Sequence, residues 1–186
     1  MLTFQLLDII FYGNFKVAHI VLKILHELRR AMRLKVLWPG KTGNTALKDL
    51  EEYYLRRINQ LEPCEIIATK EAKGLLERDS GRIQEIEAQG LEKHIKDDYI
   101  ICLFDKGREM SSSEFARFLK SAGENSTRVV TFIVGGFLGL AGRILDRADM
   151  LLSLSSMTFS HDLSRSMLLE QIYRSLSIIK GRQYAK

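Results

Sequence analysis

From Met32 to the C-terminus, short apolar runs alternate with segments whose apolar residues recur every three to four positions. A strand at about 33–38 leads through Pro39-Gly40 into a helix at about 43–60, where Leu47, Leu50, Tyr54, Leu55 and Ile58 form one stripe. Pro63 stops that helix before a second strand, Cys64 to Thr69. A polar segment then becomes a helix at about 81–95, with Ile83, Ile86, Leu91 and Ile95 facing inward. The third strand, Tyr99 to Phe104, is almost wholly apolar and ends in the turn Asp105-Lys106-Gly107. Ser111 and Glu114 have the spacing of a capping box and open the next helix, which ends near Gly123. Strand four, Val129 to Val134, runs into a glycine-rich turn, a short helix begins at Ala141, and strand five lies at about 150–154. A long helix from about Leu163 to Ile179 closes the chain, with Leu168, Ile172, Leu176 and Ile179 as its buried stripe. Apolar strands separated by helices predict an α/β fold, a mostly parallel sheet with helices on both faces. Ligands of such sheets bind beyond the carboxyl ends of the strands. Three loops there are short and chemically marked: 104–110, 135–140 and 155–162.

The 186 residues, 46% hydrophobic and 27% charged, suffice for one core and exclude a disordered or collagen-like chain. Cys64 and Cys102 lie far apart in apolar runs, which points to buried thiols in a reducing cytosol rather than a zinc site, redox pair or disulfide scaffold. Residues 1–31 read differently. Asp8, Asn14, Lys16, His19 and Lys23 interrupt their apolar residues, so no run approaches the ~20 needed to span a bilayer. The basic pair Arg29-Arg30 follows the apolar region, opposite to a secretory signal. Met32 is read as the natural start and 1–31 as an upstream extension outside the fold. Val21, Leu22, Leu25 and Leu28 also permit an amphipathic membrane-surface helix. Four basic and two acidic residues fall in the leader, which leaves 24 basic against 21 acidic residues, +3, for the remaining chain. This mild excess favours acidic partners.

Absent motifs narrow the chemistry. There is no H-E-x-x-H, G-x-S-x-G or G-x-x-x-x-G-K-[ST], and no His/carboxylate cluster at metal-ligand spacing. The glycines read G-G-x-x-G and follow the fourth strand, not the first as a dinucleotide fingerprint requires. They serve either a tight turn with positive φ or the close approach of a ligand such as a nucleoside. Leu154-Ser155-Ser156-Met157-Thr158-Phe159 likewise either caps a turn or lines a pocket for an adenine ring. Beyond His161, the basic residues Arg165, Arg174, Lys180, Arg182 and Lys186 outnumber Asp162 and Glu170. They form either a solvated helix face or a cradle for RNA phosphates.

Taken together, V-G-G-x-x-G-L at 134–140, L-S-x-M-T-F-x-H-x-L-x-R at 154–165, L-L-E-Q-I-Y-R at 168–174 and a terminal Gly-x-x-Tyr resemble the SPOUT-class rRNA methyltransferases of the RlmH type. M-R-L-K-V-L-W-P-G-K at 32–41 and E-Y-Y-L-R-R at 52–57 are similar to that family's opening strand and first helix. The resemblance covers 32–186 and none of 1–31. It implies an α/β fold with a C-terminal trefoil knot, an exception to unknotted topology. It also implies a cytoplasmic homodimer acting on assembled ribosomes, where S-adenosylmethionine supplies a methyl group to ring N3 of a pseudouridine in 23S rRNA. Neither a metal nor a membrane is implied. Leu103, Gly135, Gly136, Leu154, Ser155, Ser156, Met157, Thr158 and Phe159 would contact the cofactor. His161, Arg165 and Tyr184 would face the RNA and the target base. His161 or Tyr184 would act as general base, and Arg165 would stabilise the anionic base or hold a phosphate. This chain departs from the family pattern at Ser160, where Pro is typical, and at Gln183-Tyr184-Ala185 in place of Pro-Tyr-His. The departures support a second reading, a catalytically degenerate ribosome- or RNA-binding module of the same fold.

Overall fold

The computed structural model describes residues 32–125 and 129–183; the leader 1–31 and Tyr184 lie outside them. Five strands form one sheet: β1 (Leu34–Pro39), β2 (Cys64–Thr69), β3 (Tyr99–Glu109), β4 (Val130–Ile133) and β5 (Met150–Ser153). Their spatial order is β2-β1-β4-β3-β5, and every pairing is parallel. The helices are α1 (Thr45–Asn59), α2 (Ser80–Glu92), α3 (Ser112–Asn125), α4 (Gly142–Leu145) and α5 (His161–Ile179), with a 3₁₀ turn at Glu77–Asp79.

Alternation along the strands divides the interior in two. Val36, Ile101, Phe132 and Leu152 face one side, where Ile58 of α1, Phe115 and Leu119 of α3, and Leu168, Ile172 and Leu176 of α5 cover them. Leu37, Ile100, Cys102 and Ile133 face the other, under Ala88 and Leu91 of α2 and Ile144 of α4. Successive side chains of a strand point to opposite faces, so near-continuous apolar strands need helices on both. Each fully buried Leu, Ile or Phe contributes about 1.5–3 kcal/mol.

Local signals set the helix starts. The Asn44 side chain accepts the Leu47 N–H at 3.2 Å. Ser111 and Glu114 form the expected reciprocal box, with Ser111 N–H donating to Glu114 Oε2 at 2.8 Å and Glu114 N–H donating to Ser111 Oγ at 3.3 Å. Helix α5 begins at His161, two residues before the expected start, because Ser160 caps it by accepting the Leu163 N–H.

Two elements differ from the sequence expectation for reasons that matter to the site. In α1, Leu50 is 38% exposed while Glu51 is buried at 5%. The Glu51 carboxylate turns inward to accept from Thr42 Oγ1 at 2.8 Å. Strand β3 does not end at Phe104. Leu103 and Arg108 both pair with Leu152 of β5, so residues 104–107 arch out of the ladder before the strand resumes. The arch lies close on β5: a Cβ at Gly107 would stand 2.7 Å from the Leu151 carbonyl carbon.

Candidate active site

At the carboxyl edge of β4, β3 and β5, three loops enclose a pocket of about 550 Å³. The arch of β3 brings Leu103, Phe104 and Asp105 to one wall, the turn after β4 supplies Gly135, Gly136 and Gly139, and Leu154, Ser155 and residues 157–161 close the third side. The lining is predominantly apolar, with a few hydroxyls, which is how small-molecule sites are built.

The glycine turn owes its composition to crowding as well as to φ. Positive φ falls on Gly139 (+76°), while Gly135 and Gly136 are held by close approach. A Cβ at Gly135 would meet the Gly139 carbonyl carbon at 2.7 Å, and one at Gly136 would meet Glu87 Oε2 at 2.6 Å and Pro39 Cγ at 3.1 Å. Gly139 N–H donates to Gly136 O at 3.0 Å and closes the turn. The third loop is pinned by its own hydroxyls, Ser153 Oγ donating to Ser155 O at 2.9 Å and Met157 N–H donating to Ser155 Oγ at 3.0 Å. Met157 projects outward at 73% exposure, so its side chain remains open to a ligand.

Of the residues expected to contact a cofactor, Leu103, Gly135, Gly136, Leu154, Ser155, Met157, Thr158 and Phe159 lie on the pocket wall, and Ser156 does not. His161 lies on the wall at the first turn of α5. Arg165 is placed elsewhere than expected. It is 1% exposed, with Nη2 donating to Pro39 O at 2.7 Å, Nη1 to Asp162 Oδ1 at 2.8 Å and to Thr42 Oγ1 at 3.2 Å. Its guanidinium also stacks 5.1 Å from the Trp38 ring centroid. One turn past the helix start, position 165 faces the sheet, and its guanidinium is held in the interior by these three oxygens. Burial pulls its pKa down, opposed by Asp162 and Glu51.

Sequence reasoning missed four contributors. Phe104 and Asp105 line the wall because the strand arches where the sequence reads as a turn. Asp162 Oδ1 accepts from Arg165 Nη1 at 2.8 Å, and His161 Nε2 lies 3.2 Å from the same oxygen. Glu87 of α2 lies beneath the glycine turn at 5% exposure, and its Oε2 has no hydrogen-bond partner among the described residues. Burial raises the Glu87 pKa, against a hydrogen bond from the Ala72 backbone. Only the motif H-D-x-x-R carried a signal for Asp162: residues three apart on a helix share a face. Among the described residues no group of three or more His, Cys, Asp or Glu is arranged to hold a metal. No described helix is long and apolar enough to cross a membrane.

An all-parallel sheet with its pocket between loops at the carboxyl edge defines an α/β protein with a small-molecule-sized site where such sheets place their ligands. The family described as "Predicted SPOUT methyltransferase" matches residues 32–185. The chain is 36% identical over 159 residues to the ribosomal RNA large subunit methyltransferase H of Clostridium beijerinckii, an alignment that takes in 83% of this chain and all of that protein. It is 40% identical over 159 residues, with the same coverage, to the protein of that name from Alkaliphilus oremlandii. In fold, it matches the crystal structure of a probable methyltransferase from Bordetella pertussis with a TM-score of 0.50 at 9% identity, over 80% of this chain and 98% of the other. The chain belongs to the SPOUT methyltransferase family.

Proposed function

We propose that this methyltransferase uses S-adenosylmethionine to methylate ring N3 of a pseudouridine in large-subunit 23S rRNA. The pocket is the observation that carries the reading, supported by the substrate in the names of the relatives. Its volume falls within the ~300–1,000 Å³ of small-molecule sites. Leu103, Leu152, Leu154 and Phe159 offer an apolar bed to an adenine ring, the bare Cα atoms of Gly135 and Gly136 admit close approach, and Asp105 offers a carboxylate to hydroxyl or ammonium groups. These residues fit that cofactor and would hold it. When bound, it supplies a methyl group on a sulfonium, which needs neither a protein nucleophile nor a metal.

The chain's own residues then have two tasks. The loops hold the donor and the base nitrogen in line, an orientation effect of at most about 7–11 kcal/mol. His161, on the pocket wall, takes the N3–H proton, with Tyr184 of the tail as its companion at the base. The reading extends to a homodimer acting on assembled ribosomes in the cytoplasm, to 1–31 as an extension outside the fold, and to a trefoil knot at the C-terminal end. The arch of 104–107 across β5 supports the last of these.

The test is methyl transfer from labelled S-adenosylmethionine to ribosomes lacking the modification, followed by digestion to nucleosides. Label in methylpseudouridine is expected. Cofactor binding without label would replace this reading with the degenerate RNA-binding module that Ala185 suggests. A protein trimmed to begin at Met32 is expected to give the same label.

A further inference from the structure

A second cavity opens on the same edge of the sheet. It measures about 740 Å³ and lies at the carboxyl ends of β1 and β2, where Lys41, Lys70, Glu71 and Lys73 are on its wall. A thin partition divides it from the first pocket. A Cβ at Gly136 would stand 3.1 Å from Pro39 Cγ and 2.6 Å from Glu87 Oε2. Pro39 precedes Gly40, and Glu87 follows Ile86, and both Gly40 and Ile86 line the second cavity. The Gly40 N–H donates to Thr69 O at 3.0 Å, which sets Lys41 and Lys70, the next residues of the two loops, side by side. Lys35, Lys48, Lys120 and Lys180 each meet a carboxylate at 2.5–3.9 Å. Lys41, Lys70 and Lys73 are exposed and meet none among the described residues. Glu71 does not neutralise them, because its carboxylate folds onto Gly40, 3.2 Å from where a Cβ would stand, and is felt by the buried Arg165.

Ammonium groups gathered at one cavity without carboxylate partners attract anions, and a lysine meets a phosphate as a mobile point charge. A nucleic-acid strand gains most from them, since each phosphate neutralised releases condensed counterions. We propose that this cavity is a second binding site, in which Lys41, Lys70 and Lys73 hold backbone phosphates of the rRNA whose target base enters the first pocket. The inference rests on the function proposed above. The first pocket then holds donor and base, and the lysines hold the strand beside it, on the same edge of the sheet. Phosphate contacts fix register and orientation without reading sequence, so the choice of base stays with the first pocket.

A simpler role for exposed lysines is that of solvated charges. Three measurements on the full chain, with ribosomes lacking the modification, separate the two. The first is equilibrium binding. At about 0.1 M salt, Lys41→Gln, Lys70→Gln and Lys73→Gln are each expected to weaken ribosome affinity about fivefold to eightfold, and to flatten the slope of log affinity against log salt by about 0.7–0.9. Lys96→Gln removes the same charge ahead of β3, at the opposite edge of the sheet, and is expected to leave affinity and slope unchanged. Lys41→Arg, Lys70→Arg and Lys73→Arg combined keep the charges and are expected to bind as wild type does. The second is steady-state methylation, where the three Gln changes combined are expected to raise KM for ribosomes and keep kcat, the mark of lost ground-state binding. The third identifies what the cavity touches. Lys73→Cys carrying an azidophenyl photocrosslinker, with Cys64 and Cys102 withheld by burial, is expected to attach to 23S rRNA. Unchanged affinity in all three Gln variants, a loss no greater than that of Lys96→Gln, or a cross-link to ribosomal protein alone overturns the proposal. If wild-type protein binds ribosomes and transfers no methyl group, the function proposed above fails, while the affinities and the cross-link still decide the lysine site.

Discussion

Gly135 and Gly81 set opposite expectations for an alanine. A Cβ at Gly135 would press on the backbone of Gly139 and Leu140, which cannot move without opening the turn, whereas at Gly81 in α2 nothing lies within 4 Å. Overpacking of 1–3 kcal/mol corresponds to about a tenfold to hundredfold loss. Gly135→Ala is expected to lower cofactor affinity by that factor in titration calorimetry. Gly81→Ala is expected to raise stability by about 0.4–1 kcal/mol through the unfolded chain, measured by urea unfolding. The thiols give a second test at this scale. Burial pushes both Cys64 and Cys102 up to about 12. At pH 8 only about one thiol in ten thousand is then ionised. Iodoacetamide is expected to spare both in the folded protein and to label both in urea. Glu87 supplies a pH dependence. Its pKa is raised by burial above an ordinary value of 4.5, so the folded state holds its proton longer than the unfolded chain does. Stability from this group is full below that ordinary value and is lost as pH rises through the folded one. Glu87→Gln is expected to match wild type in acid and to exceed it in urea midpoint at neutral pH. The thiols' burial was legible in their apolar runs; the surroundings of Gly135 and Glu87 were not, because each is set by distant residues packed against it.

Elements were legible where the cause is local and misread where it is distant. The capping box at Ser111 and the stripe of Leu168, Ile172 and Leu176 follow from spacing alone, and both stand as the sequence implies. Glu51 sits in a charged run, and from sequence it belongs in water. It is buried because Thr42 binds its carboxylate and Arg165, from the far end of the chain, lies near enough to be felt electrostatically. Asp105-Lys106-Gly107-Arg108-Glu109 reads as the end of a strand, yet β3 resumes because β5 offers it an edge. At the site, the three marked loops were legible because strand ends are. The inward turn of Arg165 was not, since a basic residue near a helix start looks the same whether it meets RNA or Pro39 O. Removing that guanidinium leaves Asp162 and Pro39 O without their partner in the interior. Arg165→Met is expected to destabilise the protein by about 3–5 kcal/mol, read as a lower urea midpoint.

At the scale of the molecule, strand-helix alternation announced a parallel sheet but not its order. The position of β4 between β1 and β3 depends on which apolar edges meet, and alternation is silent on that. This order brings loops from three distant parts of the sequence to one edge, so the pocket exists only when the sheet is complete. A ligand there binds the folded chain and not the unfolded one. S-adenosylmethionine at about 100 times its dissociation constant is expected to stabilise the protein by about 2.7 kcal/mol, seen as a raised thermal midpoint.

The bond from Arg165 to the Pro39 carbonyl joins residues 126 positions apart. During synthesis at about 5–20 residues per second, the end of β1 emerges about 6–25 s before its guanidinium does. For that interval the Trp38 ring and the Glu51 carboxylate wait at the sheet edge without their cation, a state that only the last helix of the nascent chain can end.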